Sequence, residues 1–192
     1  VLIGYSAGGA VTTGGSNTIV GHQAGDSITT GEQNAIMGKN AGTDMTTGNY
    51  NALFGSSAGA NITTGTLNTA VGQSALFTAT TVSNLTAIGY NALNANTTGT
   101  NGVAVGKDAL QANTTGDNNT AVGLEALQTN STGSENTAVG TGALALATTA
   151  DNNTAIGRAA LSVSTTAAKN TAVGSMAMDA TTTGSDNVAV GY

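Results

Sequence analysis

Glycine stands at positions 4, 21, 38, 55, 72, 89, 106, 123, 140, 157, 174 and 191, so every interval is seventeen residues with no insertion or deletion. A period held that strictly makes the chain an array in which each unit is one structural element stacked on its neighbours. Seventeen residues is too short for a pair of helices and too regular for a disordered linker. Counted from this marker glycine, other columns are nearly as constant. The residue before it is always apolar, and alanine lies three after it, from Ala7 to Ala177. Eight and nine after it comes a Thr-Thr pair such as Thr114-Thr115, broken only by Ser131. Four before it stands asparagine, from Asn17 to Asn187, except at Leu85 and Gly102, each preceded by an asparagine. Thr, Val, Ile and Asn at fixed places between glycines suit short strands joined by tight turns.

One such unit buries too little apolar surface to fold alone. Stacked units succeed because each coil hydrogen-bonds to the coils above and below, and identical side chains pile into ladders. The expected fold is all-β, a parallel β-solenoid or β-roll of about 11 coils in which residues 1–192 form a single repeat array. At about 4.8 Å per coil it stands roughly 54 Å tall.

Substitutions between units indicate which columns touch. Two before the marker glycine the chain has Leu2, Ile19, Ile36 and Leu53, then alanine from Ala70 to Ala189. Four after it the exchange is reversed: Gly8, Gly25, Gly42 and Gly59 precede Leu76, Leu93, Leu110, Leu127, Leu144, Leu161 and Met178. Seven after it Val11, Ile28, Met45 and Ile62 give way to small or polar residues such as Asn96. A close-packed interior tolerates volume-conserving exchanges best, so these columns are expected to share one core. The array is expected to consist of one packing variant over 1–67 and another over 68–192.

Neighbouring residues of a strand face opposite ways, so if Ala121 points inward, Val122 points out. Its whole column, including Val20, Val71, Ile88, Val105, Val139, Ile156, Val173 and Val190, then forms an apolar ladder on the outside. Such a ladder in water is an aggregation hazard unless other chains cover it. A homo-oligomer is therefore expected, with this column and the Thr/Val column two before it (Thr120, Val103, Val188) at the subunit interface. The alternative is a monomer whose chain turns a sharp corner and brings both residues inside.

The stretches Asn84-Leu85-Thr86-Ala87-Ile88-Gly89, Asn101-Gly102-Val103-Ala104-Val105-Gly106 and Ser185-Asp186-Asn187-Val188-Ala189-Val190-Gly191 resemble the head repeats of trimeric autotransporter adhesins. The fuller pattern, from Asn-Thr-Ala-Val-Gly to Thr-Thr-Gly, is also similar to repeats in the tail fibres of bacteriophages. The resemblance covers the whole chain. It implies a left-handed parallel β-roll assembled as a trimer, extracellular, on a virion tail fibre or a bacterial surface, with attachment as its work. The longer period, the added Thr-Thr-Gly turn and the large residues of the first four units depart from the bacterial heads.

Composition narrows the chemistry. With 7% charged residues and a net charge of −6 spread without runs, the chain lacks the clustered Lys and Arg that a nucleic acid partner needs. It has no cysteine for disulfides or thiolate metal sites, and no apolar run long enough to span a membrane. No Ser/His/Asp set can be assembled, the acids are expected to form no column of paired carboxylates, and the glycine-rich stretches lack the lysine of a phosphate loop. No enzyme activity, metal or cofactor is expected. Val1 and Tyr192 both fall inside a repeat, so a stretch of a longer fibre is expected.

Two features could contact a ligand. The column just after the marker glycine gathers Tyr5, Tyr90 and Tyr192, the basic residues Lys39, Lys107 and Arg158, and the only histidine, His22. A sugar or protein receptor on a cell surface would meet this edge, where rings stack and cations pair; an exposed turn that accepts any residue is the plainer alternative. The threonine ladder suggests ordered water and an ice-binding solenoid, although adjacent Thr114 and Thr115 should point opposite ways. The chain is thus expected to be a structural and adhesive fibre segment, with a glycan- or surface-binding module and an ice-binding solenoid as alternatives.

Overall fold

The computed structural model describes all residues, 1–192. Twelve short strands, from β1 (Leu2–Ile3) through β8 (Thr120–Val122) and β9 (Thr137–Val139) to β12 (Val188–Val190), form one parallel sheet in sequence order. Register advances by one repeat per step: Ala121 lies opposite Ala138, and Val122 opposite Val139. Because the chain begins and ends in a strand, twelve strands bound about 11 turns of a β-solenoid. Parallel neighbours need a long return path, commonly a helix. Here the return is made of turns alone, and there is no helix anywhere.

Only one side of each coil is a regular strand, so the sheet contributes a minority of the ladder. Of 126 backbone hydrogen bonds, 21 lie within the strands and the other 105 involve the turns. Many of these join equivalent turns of successive coils. The Leu93 N–H donates to the Ala109 carbonyl at 3.1 Å, and the N–H groups of Thr97, Thr98 and Gly99 all donate to the Thr114 carbonyl. The Gly123 N–H donates in the other direction, to the Val105 carbonyl at 2.8 Å. Each coil is therefore a rung bonded around its whole circumference.

Closing a ring in seventeen residues takes sharp turns, which the backbone makes at left-handed positions. Besides the marker glycine, these fall two after it (Asp108, φ 56), four after it (Leu110, φ 49) and five before it (Asn84, φ 62). A leucine there gives up about 1–2 kcal/mol of backbone preference, which its complete burial offsets.

The interior is narrow and built largely of alanine. Ala121 and Ala126 face inward with no exposure, as does Leu127 from the next turn. In the lower coils, Ile19, Ile28 and Ile36 surround Gly25: a Cβ on that glycine would lie 2.8 Å from Ile28 Cδ1 and 3.1 Å from Ile19 Cδ1. Higher up, alanine replaces the isoleucine and leucine occupies the glycine position, so one volume is filled from opposite walls. All three exchanging columns line that volume.

Candidate functional site

The edge column owes its position to the marker glycine. These glycines have φ near 130–143°, and each except Gly191 on the end rung lies almost under the carbonyl of the glycine above. A Cβ on Gly123 would meet the Gly140 carbonyl carbon and oxygen at 2.6 Å, so no side chain fits at this corner. The turn throws the following residue onto the outer rim. Tyr5, His22, Lys39, Tyr90, Lys107, Arg158 and Tyr192 are all exposed there.

The seven residues do not form one site. Tyr5, His22 and Lys39 occupy three successive rungs, and the rings of Tyr5 and His22 stack with centroids 5.3 Å apart and planes inclined by 21°. Tyr90 and Lys107 are a second pair on adjacent rungs. The Lys107 Nζ lies 3.5 Å from Asp108 Oδ2, and that carboxylate also accepts a bond from Asn91 Nδ2 at 3.2 Å through its other oxygen. Three rungs, about 14 Å, separate Lys39 from Tyr90 and Lys107 from Arg158. Arg158 stands alone, and Tyr192 sits on the last, largely open rung. The fourth tyrosine, Tyr50, lies on another edge, where its hydroxyl accepts a bond from Gln33 Nε2 at 3.3 Å.

The residue before the marker glycine faces outward along the entire sheet. Met37, Phe54, Val71, Ile88 and Ile156 are exposed, as is Val190 on the end rung. Val20, Val105, Val122, Val139 and Val173 are half-buried by the ladder itself. Beside them run Thr120, Val103 and Val188, on the same face because strand residues alternate. Each strand ends in this outward residue just before the corner, so the two residues are not both turned inside. The result is an apolar strip along the rod, uncovered within one chain.

The paired threonines separate in role. The hydroxyl at eight after the marker glycine donates up the stack, as from Thr114 to the Ser131 carbonyl at 2.9 Å. The threonines at nine after, such as Thr98 and Thr115, point outward and are exposed.

Amide ladders bind the rungs from inside. Asn34 donates its backbone N–H to Asn17 Oδ1 at 2.9 Å and its Nδ2 to the Gly48 carbonyl at 2.8 Å, and Asn51 repeats the pattern above. This ladder stops at Leu85 and resumes at Asn119. A second ladder, unanticipated from the sequence, runs through Asn96, Asn113 and Asn130, whose carboxamides join at 2.8 Å. It ends at Asn130 Oδ1, which is buried without a partner below Ala147. A third stitch escaped the sequence reading as well. Eleven after the marker glycine, side-chain oxygens accept the N–H of the rung below: Thr100 N–H donates to Asp117 Oδ1, and Ser134 N–H to Asp151 Oδ1, both at 2.7 Å. Its only sequence signal is a column of oxygen-bearing side chains, broken by Gly15 and Ala168, which resembles any polar turn.

No helix is long and apolar enough to cross a membrane, and no three His, Cys, Asp or Glu side chains gather. No protein-family model, curated protein or solved structure matches the chain.

Proposed function

We propose that this chain is a segment of an extracellular attachment fibre, of a phage tail or a bacterial surface adhesin, assembled as a homotrimer along the outward apolar strip. The observation that supports this reading is the strip itself, continuous from Val20 to Val190 on one face of a linear rod. An apolar surface of that length in water favours association with copies of itself. Packing three rods strip to strip buries it and leaves the Tyr5–His22–Lys39 and Tyr90–Lys107 groups outside, where a cell-surface glycan or protein receptor can reach them. The segment works mechanically, as a stiff, weakly charged spacer with contacts along its edge, and not as an enzyme or a nucleic acid binder.

Sedimentation of the purified chain tests the assembly. The expected mass is three times the 18.4 kDa of one chain. Val122→Lys with Val139→Lys is expected to yield folded monomers; a stable monomer from the unaltered chain would refute the trimer. Loss of cell-surface or glycan binding in Tyr90→Ala, with assembly retained, assigns binding to the edge. A second reading draws on the outward threonines. Thr81 and Thr98 share a face with Ser83 and Thr100, giving a local Thr-x-Ser/Thr pattern. Thermal hysteresis in the isolated chain would favour ice binding over attachment.

A further inference from the structure

The chain contains a single Asn-Gly dipeptide, Asn101-Gly102, and it falls at the break in the first amide ladder. Elsewhere from Asn34 to Asn187 the N–H four before the marker glycine donates to the asparagine Oδ1 one rung below, as Leu85 does to Asn68 at 3.1 Å and Asn153 to Asn136 at 3.0 Å. Below Gly102 lies Leu85, which offers no oxygen, and below Asn119 lies Gly102, which has no side chain. These two N–H groups have no acceptor in the protein. The N–H of Asn101 is also free, whereas its equivalents at Asn84 and Asn118 donate to the carbonyls of Thr66 and Thr100 at 3.1 and 3.0 Å. Asn101-Gly102 thus has two consecutive unpaired N–H groups at the break in the amide ladder. A surface depression near 440 Å³ opens beside it, with Asn84, Thr98 and Asn101 among its lining residues, while Gly102 itself is buried. Asn101 is exposed, held by one bond from its Nδ2 to Asn118 Oδ1 at 3.2 Å.

We propose that Asn101-Gly102 is a site of spontaneous deamidation, the place where this rod ages. The Gly102 nitrogen loses its proton to solvent base and attacks Asn101 Cγ. The N–Cγ bond forms, the Cγ–Nδ2 bond breaks and ammonia leaves with the proton. Water then opens the cyclic imide at either carbonyl, giving aspartate or isoaspartate. Three conditions meet at this position only: a follower without Cβ to obstruct ring closure, a follower N–H not held by an acceptor, and an asparagine side chain exposed to solvent. The product carries a new charge and, as isoaspartate, an extra main-chain methylene in a rung of otherwise constant length.

The fold supplies its own controls. Asn84, Asn101, Asn118 and Asn152 occupy the same column with φ of 54–62°. Asn118 shares the free follower N–H but precedes Asn119, with its Cβ; Asn84 and Asn152 precede residues whose N–H is bonded. The test incubates the intact chain, folded and in concentrated guanidinium, at mildly alkaline pH, and reads each asparagine by peptide mass mapping. Asn101 is expected to convert first in the folded chain, well ahead of Asn118, while folding protects Asn84 and Asn152 more strongly. Gly102→Ala, whose Cβ would sit at 3.4 Å or more from its neighbours, is expected to fold and to suppress the reaction. Leu85→Asn restores an acceptor below Gly102 and is expected to slow it about fivefold to tenfold, the rate equivalent of one hydrogen bond. The proposal fails if folding protects Asn101 as strongly as Asn84 and Asn152.

Discussion

At the scale of single residues, the rod depends on groups that serve two rungs at once. The Asn136 carboxamide accepts the backbone N–H of Asn153 at 3.0 Å and donates to the Ala150 carbonyl at 2.6 Å, all inside the coil. Removing it strands a buried donor and a buried acceptor together. Asn136→Ala is expected to lower stability by about 2–4 kcal/mol in denaturant titration. Glycines differ in what they protect. At Gly123 a methyl group meets the main chain of the rung above, and that rung cannot retreat without breaking its own ladder. At Gly142 φ is 67° but nothing lies within 4 Å of an added Cβ, and Ala159 occupies the equivalent place one rung higher. Gly123→Ala is therefore expected to cost about 3 kcal/mol or more, and Gly142→Ala about 1 kcal/mol or less, in thermal unfolding.

At the scale of one rung, the contacts explain why the large residues change sides once and do not alternate. A Cβ on Gly42 would lie 2.9 Å from Leu53 Cδ1 in the rung above and 3.3 Å from Ile36 Cδ1 in its own. Leucine at that place therefore requires alanine in two consecutive rungs, which favours blocks. Exchange at the block boundary is the exception, since Ala70 already lies above Gly59. The triple variant Leu53→Ala, Gly59→Leu, Ile62→Ala moves the boundary down one rung, and its expected cost is under about 1.5 kcal/mol. Ile36→Ala, Gly42→Leu, Met45→Ala leaves Leu53 pressing on the new side chain and is expected to cost about 3 kcal/mol or more. Chemical denaturation of the two compares them directly; equal stabilities would contradict the packing argument. The column exchange is legible in the sequence because each unit repeats one environment. The second amide ladder is not, because Asn96 and Asn113 read like any polar turn residues until the ring closes around them.

At the scale of the molecule, the stack of rungs carries an outward apolar strip along its length. If three rods share that strip, stability depends on protein concentration, since subunits bind only when folded. The thermal midpoint is expected to rise with concentration for the unaltered chain and to stay fixed for Val122→Lys with Val139→Lys. The period of seventeen, the parallel stacking of rungs and the inward alanines followed from the sequence alone, because a strict repeat forces every unit into the same surroundings and strand alternation assigns the faces. Ring closure depended on the tertiary structure. It limits the regular strand to three residues and places Leu110 and Asn101 in left-handed turns. Those outcomes depend on how far the chain must bend to meet itself, a distance set by the stacked rung and not by any residue's own preference.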